Sequence, residues 1–425
     1  MDLSGYVTSI FFESDRRIRP DPDGTEPQQA RSHEGYFYEY ATNAVGMRER
    51  LDALGYTASK ARSDYAKGHA NEKQQHDELR ENMRGWPISK SREDSDWKKL
   101  AIQEAERERL DMDGWTFDFW CDAIGRLALQ KIDLRNEKDW ADDPAANLFS
   151  RSKRFGAGDC YGFGDCFSDI RLQLRAVLDA IPSAKEVVLD YTGLVSDGIF
   201  APEERVSENL RRENLDTYPD YGPIVILTEG RSDTRVLSAA LKALAPHLAE
   251  VYSFLDFDGM NIEGGAGALA KTVRAFAGAR VVGRMVAVFD NDAAGTEALS
   301  SLADFELPAN IRAIQLPNCE IGMCYPTIGP QGPMRMNING CACSIELYLG
   351  RDALLDDFGE LQPIRWTGYN KKLDRYQGAV AGKTIIASRF ISALAKCASP
   401  LEARSRFPDL ADVIDTIGNV FTEFT

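Results

Sequence analysis

Positive charge is what this 425-residue chain has too little of: 50 Lys and Arg stand against 66 Asp and Glu, a formal net charge of −16. That balance excludes a protein coated in basic surface, the usual footprint of a general nucleic-acid binder. Any contact with nucleic acid must then be confined, metal-dependent or partner-assisted. Long hydrophobic runs are missing too. None reaches the roughly 20 apolar residues that cross a bilayer. The start, MDLSGYVTSIFFESD, lacks the basic stretch and apolar core of a secretory leader. A cytoplasmic location without a membrane partner is the expectation. With only 4 histidines, the residues alone support no Ser–His or Cys–His catalytic pair. The 8 cysteines are scattered, unlike those of a small disulfide-rich secreted domain, so reduced thiols are expected. Cys319, Cys324, Cys341 and Cys343 have C-x4-C and C-x-C spacings. These match poorly the C-x2-C pairs of a zinc ribbon, and whether the four bind metal stays open. A complete ATPase phosphate loop is absent as well. Gly382-Lys383-Thr384 resembles its end, but Gly378 stands one residue too close and follows no buried strand. No nucleotide cofactor is expected.

What is present centres on two stretches some sixty residues apart, IVILTEGRSD (Ile224 to Asp233) and MVAVFDNDAAG (Met285 to Gly295). Each is an apolar, largely β-branched run ending in acid, the pattern of a strand buried on both faces of a parallel sheet. Ligands of such sheets bind beyond the carboxyl ends of the strands. Glu229 stands at one end, Asp290 and Asp292 at the other. Carboxylates grouped in this way repel unless a cation lies between them, and hard oxygen donors suit Mg²⁺.

In chain order, residues 4–12 alternate as a strand and 15–33 read as a polar loop. Residues 36–68 read as helices split at Gly55, 70–98 are highly polar, and 98–112 and 115–134 are helical. The interval 137–165 is loop-like, with a basic run at Arg151 to Arg154. A helix over 169–181 and a strand over 186–195 follow. The charged interval 202–220 places a domain boundary near 220, with an N-terminal module at 1–220 and a second domain at 221–425. Beyond it, strands at 224–229, 251–257, 285–290 and 311–316 alternate with helices near 233–245, 266–277 and 293–302, the mark of a parallel α/β sheet. The stretch 319–340, rich in proline and glycine, should be irregular. It returns in a short helix, SIELYL, and the chain is helical from about 384.

Glu-Gly after one strand and Asp-x-Asp after a later one resembles the Toprim domain of topoisomerases, DnaG-type primases and OLD-type nucleases. Further stretches, FLDFDG followed by GGAGAL, YPTIGPQG, NGCACSIELYLG and YQG, resemble the Toprim members of the bacterial HEPN/Toprim-associated family. GYFYEYATNAVGMRERLDALGYT resembles that family's N-terminal module more loosely. The resemblance implies a C-terminal Toprim domain, a Rossmann-like parallel sheet flanked by helices with a helical extension, behind a mostly helical α+β module. It implies Mg²⁺- or Mn²⁺-dependent phosphodiester cleavage, first of all a DNA nuclease of anti-phage defence. A ribonuclease acting on tRNA, or a non-catalytic nucleic-acid- or partner-binding subunit, are the alternatives. A separate ATPase or sensor partner and a homo-oligomer are also implied. No strand-passage tyrosine domain and no zinc ribbon accompany the motifs, which argues against a topoisomerase and a primase.

By the same resemblance, Asp290 and Asp292 hold metal, Glu229 holds metal or acts as acid/base, and Asp233 and Glu346 complete a second position. Asp233 could equally be a helix-start acid, as could Glu346. Asp292 could be turn chemistry. Lys383 is the candidate cation for developing phosphorane charge. Gly230, Gly264 and Gly265, with Gly267, could cradle a phosphate or only form a tight turn. Asp256 and Asp258, one residue apart at another strand end, are weaker candidates. Arg62 and His69 fit the R-x6-H outer limit of the HEPN ribonuclease motif, but Gly68 directly before the histidine should weaken its helix, so a working HEPN site is not expected.

Overall fold

A computed structural model describes residues 10–20, 35–85, 92–130, 166–217, 222–255 and 263–422. The chain divides into two compact units, residues 1–210 and 211–423. No helix among the described residues is long and apolar enough to cross a membrane. Asp256, Asp258 and the basic run at Arg151 to Arg154 lie outside the described residues.

The first unit holds a three-stranded antiparallel sheet of β1 (Arg16–Pro20), β2 (Tyr36–Asn43) and β3 (Glu186–Asp190), in the order β1-β2-β3. Its helices are α1 (Ala44–Ala53), α2 (Ala58–Gly85), α3 (Arg92–Asp113), α4 (Phe117–Gln130), α5 (Ile170–Ala180) and α6 (Thr192–Ser196), and α7 (Val206–Thr217) runs across the boundary at residue 210. Several expectations are corrected here. Residues 16–20 form an edge strand rather than loop, because β1 pairs with β2 in register from Arg16↔Tyr40 to Pro20↔Tyr36. The aromatic run YFYEYATN is strand, not helix: Phe37, Tyr38 and Tyr40 are buried, and aromatic side chains fit a pleated, covered surface. The helix begins only after Asn43, whose side chain accepts from the Gly46 amide at 2.7 Å. Residues 10–15 are not strand but end in a 3-10 turn, and residues 4–9 lie outside the described part. The strand expected to reach 195 stops at Asp190, where the Asp190 carboxylate accepts from the Thr192 amide and α6 starts.

Gly55 does separate two helices, at φ +79°. Gly68, expected to weaken α2, lies inside an unbroken helix. A Cβ there would stand 1.9 Å from the Cys166 carbonyl oxygen, so only glycine permits that close packing.

The second unit is built on β4 (Ile224–Leu227), α8 (Arg231–Leu244), β5 (Tyr252–Phe254), α9 (Ala266–Gly278), β6 (Met285–Phe289), β7 (Asn291–Asp292), α10 (Ala293–Ala303) and β8 (Ile311–Gln315). Strands β5-β4-β6-β8 form one sheet with every pairing parallel. The α/β alternation expected from the sequence is therefore present, with each strand shorter than its apolar run. Met285, Ala287 and Phe289 join a core with Leu269 and Val273 of α9 and Leu302 of α10. The alternate residues Val286 and Val288 are buried too. Side chains alternate across a strand, so β6 is covered on both faces and its carboxyl end is held rigidly.

Residues 319–340 are more regular than expected. β9 (Tyr325–Gly329) and β10 (Gly332–Met336) form an antiparallel hairpin, with Gly332 at φ +91° beginning the return strand. β11 (Ala342–Cys343), β12 (Ile364–Asn370) and β13 (Arg375–Val380) follow, and β10-β9-β12-β13 make a second sheet. The chain closes with helices α11 (Lys383–Leu394), α12 (Pro400–Arg406) and α13 (Pro408–Asn419).

Phe289 is fully buried one residue before Asp290. Phe289→Ala should destabilise the protein by about 3–5 kcal/mol, the range for a large aromatic removed from a core, as read from urea midpoints. A loss below about 1 kcal/mol would mean that β6 is not the central buried strand.

Candidate active site

Strands β4 and β6 are neighbours, so the residues that follow them meet. The Asp290 amide donates to the Glu229 carboxylate at 2.9 Å. The next turn adds a third participant: the Ile345 amide donates to the Asp290 carboxylate at 3.0 Å. Glu229 and Asp290 thus each commit one oxygen to a backbone N–H, and among the described residues neither second oxygen accepts a hydrogen bond. Asp233 lies in the first turn of α8, where the helix end favours negative charge. Asp292 serves as the N-cap of α10, its side chain accepting from the Gly295 amide at 2.7 Å. The turn chemistry of Asp292 is thus present, and its carboxylate still adds to the repulsion felt by Glu229.

Glu346 arrives from a 3-10 turn, Ile345–Tyr348, rather than an α-helix. It is fully buried, with Oε2 accepting from the Ser344 hydroxyl at 2.6 Å and lying 3.2 Å from the Lys383 amine. Its Oε1 has no hydrogen-bond partner. A buried carboxylate oxygen without a donor is costly. Lys383 also donates to Ser344 at 3.3 Å.

The electrostatics follow from this crowding. Burial pushes the Glu229 carboxyl up to about 7, with Asp292 and Asp233 adding repulsion. Burial also lifts Asp233 to about 7, reinforced by Glu346. Asp290 is raised well above the usual carboxylate range, by burial first and then by Asp233, Glu229, Glu346 and Asp292. Asp292 is raised by burial. At Lys383 burial works against the charge, but Glu346, Asp290 and Asp233 outweigh it and hold the amine above its ordinary value. The five acids and one lysine share a single electrostatic space. Even so, among the described residues no three or more His, Cys, Asp or Glu side chains close into a ready-made coordination shell. Among the described residues Lys383 is the cation paired with the buried Glu346.

Residues overlooked in the sequence position this cluster. Asn291 is buried and pins three segments together. Its Nδ2 donates to the Pro317 carbonyl at 3.2 Å and to Asn318 at 2.9 Å, and its Oδ1 accepts from the Gly340 amide at 2.9 Å. β7 pairs with β11 through Ala342↔Asp292 and Cys343↔Asn291, which carries Ser344 and Glu346 to the acids. Gln315 donates to the Asp290 carbonyl at 3.1 Å. A Cβ at Gly295 would stand 2.2 Å from that same oxygen. The glycine that ends FDNDAAG was the available signal for so close an approach.

The other candidates are placed as follows. Gly230 is the N-cap of α8. The Gly265 amide donates to the Glu229 carbonyl at 2.6 Å, and a Cβ at Gly264 would stand 2.9 Å from that oxygen. This glycine turn is packed on the Glu229 backbone. Gly267 lies in the first turn of α9. Cys319 and Cys343 are buried with sulfurs 3.2 Å apart, Cys341 is half-buried and Cys324 is exposed. In the first unit, Arg62 pairs with Asp118 at 2.7 Å and lies over Phe117. His69 stacks on Tyr65; burial, then Lys73, holds its imidazole below the ordinary value.

Two expectations follow. A carboxyl raised on folding contributes stability that is complete below its unfolded value near 4 and is lost as pH rises through about 7. In EDTA the thermal midpoint should fall with rising pH through that window, and Asp290→Asn should flatten the fall; a steeper fall in the variant contradicts the mutual repulsion. Asn291→Ala should cost about 1–3 kcal/mol through its orphaned partners, measured by urea unfolding, and no loss would show that Asn291 pins nothing.

Comparison with family models matches the HEPN/Toprim N-terminal domain 1 over residues 3–214. That match ends ten residues before β4 begins at Ile224. Comparison with curated proteins and with solved structures found no match.

Proposed function

We propose that this chain, whose N-terminal half supports its membership of the HEPN/Toprim-associated family, is a divalent-metal-dependent phosphodiesterase that cleaves nucleic acid, first of all DNA, through a Toprim-type site. The observation that carries the reading is the cluster at the carboxyl ends of β4 and β6. There Glu229, Asp233, Asp290, Asp292 and Glu346 repel one another around one lysine, and Glu346 Oε1 is buried without a partner. An all-oxygen donor set with an orphaned carboxylate oxygen fits Mg²⁺ or Mn²⁺. Asp290, Asp292 and Glu229 would hold the ion, with Asp233 and Glu346 at a second position. A bound ion of this kind polarises a phosphate oxygen and lowers the pKa of water.

The chain's own groups do the rest. Glu229, near 7, can take and return a proton at its carboxylate close to neutral pH. Lys383 keeps its proton and offers a fixed positive charge for the extra negative charge of a pentacovalent phosphate. The backbone amides of Asp290 and Ile345 hold Glu229 and Asp290 in one orientation, so little reorganisation accompanies the reaction. A role in anti-phage defence, with a separate ATPase or sensor, belongs to this proposal through the family resemblance. The ribonuclease reading keeps the same site and differs only in substrate. The non-catalytic reading is disfavoured because the sequence retains all five acids and the lysine, where a degenerate site should have lost some of them.

Plasmid, single-stranded DNA and total RNA incubated with Mg²⁺, Mn²⁺ or EDTA test the proposal. Cleavage should need the metal, and the substrate arms separate the DNA and RNA readings. Asp290→Asn should lose on the order of a hundredfold in rate, since a catalytic metal contributes several kcal/mol and each 1.36 kcal/mol is about tenfold. Arg62→Ala and His69→Ala should cleave as wild type. A dead histidine variant beside an active Asp290→Asn would move the active site to the first unit.

A further inference from the structure

We propose that the β12–β13 hairpin is a stacking platform for single-stranded nucleic acid, set beside the carboxylate cluster; the inference deepens the phosphodiesterase reading by naming the form of its substrate. The ring centroids of Trp366 and Tyr376 are 5.6 Å apart, and those of Tyr376 and Tyr369 are 5.3 Å apart at 70°. The three rings form one unbroken strip. Tyr369 and Tyr376 face each other directly across the strands, and each keeps 49% of its surface exposed. Trp366 lies against bare backbone: a Cβ would come within 3.0 Å of its ring at Gly329 and 2.9 Å at Gly378. Exposed apolar residues are ordinarily scattered singly; a contiguous strip marks an interaction surface.

Charge identifies the occupant. Residues 364–380 carry Arg365, Lys371, Lys372 and Arg375 against one acid, Asp374, in a chain of net charge −16. All four cations are exposed. Lys372 lies 3.6 Å from Glu297, and Arg375 donates to the Gly340 carbonyl at 3.1 Å. Lys371, in the turn of the hairpin beyond Tyr369, is therefore the cation best placed to meet a phosphate backbone; Arg365, next to Trp366 on the strand, projects to the other face. Aromatic rings with a cationic turn at their end suit unpaired bases, whose faces are free to stack, and tolerate any sequence. A duplex hides those faces and would call for a broader basic surface, which this composition lacks.

The platform is tied to the acids. Gly340, which accepts from Arg375, donates through its own amide to the Asn291 carbonyl and side chain at 3.0 and 2.9 Å, and Asn291 sits between Asp290 and Asp292. β13 also packs on β11 and on α10, the helix that Asp292 caps. The hairpin that carries the rings is thus anchored, through Arg375 on its other face, to the scaffold that holds the acids.

The test is fluorescence anisotropy of the full chain with a labelled single-stranded DNA, the matching RNA and the duplex, in EDTA so that no cleavage intervenes. Tyr369→Ala with Tyr376→Ala should weaken single-strand binding on the order of tenfold for each ring removed, while Tyr369→Phe with Tyr376→Phe should bind as wild type. Lys371→Glu should weaken binding and reduce its salt dependence. The DNA and RNA arms show which strand is preferred. Wild-type affinity in the alanine pair, or equal losses for duplex and single strand, overturns the proposal. Single-strand binding through the rings without metal-dependent cleavage would sustain it while sinking the phosphodiesterase reading; cleavage with unchanged binding by the alanine pair would do the reverse.

Discussion

Like charge held at one end of a parallel sheet is the constraint on which the second unit depends. Glu229 and Asp290 follow adjacent strands, and the backbone amide of one donates to the carboxylate of the other. Asp233 and Asp292 come in on the helices that leave those strands. Without compensation such a cluster protonates or moves apart. Here it is contained by backbone donors, by two helix starts and by Lys383, and the remaining strain is visible in the raised carboxyls and in the unpartnered oxygen of Glu346. Departures from full polar satisfaction of this kind concentrate at functional sites.

Containment requires a scaffold that does not yield. β6 is buried along its whole length. Gln315 at the end of β8 holds the Asp290 carbonyl, and Gly295 allows α10 to press against the same atom. Asn291 makes the excursion beyond β8 part of the site, because through it Gly340 and β11 are hydrogen-bonded to the DxD turn. Two acids from the sheet and one from a distant 3-10 turn consequently act as a single group.

The first unit is organised by different means. Its three-stranded sheet packs on α1 and α5 around Tyr40, Met47, Leu51 and Leu178. Trp120 and Tyr65 centre a separate aromatic core. Arg50 is buried in a two-fold contact with Asp15, under the Phe12 ring. Arg62 and His69 are both engaged within this unit, one in an exposed ion pair and one in a ring stack. Neither carries the concentration of perturbed groups found around Asp290.

Strand character in 224–227 and 285–289, the helices after them, and the acids at their ends were legible in the sequence. A strand buried on both faces must be continuously apolar, and acids placed where the apolar run stops can lie only at its end. The helix break at Gly55 was legible for a similar local reason, its positive φ. Other elements depended on partners far along the chain. YFYEYATN has the composition of either element, and pairing with residues 16–20 and 186–190 made it strand. Gly68 looked like a weakness until the Cys166 backbone was found against it. The short pairing of β11 with β7 sets where Glu346 lies, and Asn291 looks like filler between two aspartates until its three partners are seen. The sequence by itself determined which carboxylates stand at strand ends, because burial and periodicity are local. Only the tertiary structure decided which side chains come to meet them, because pairings between residues 25 to 52 positions apart leave no period in the chain.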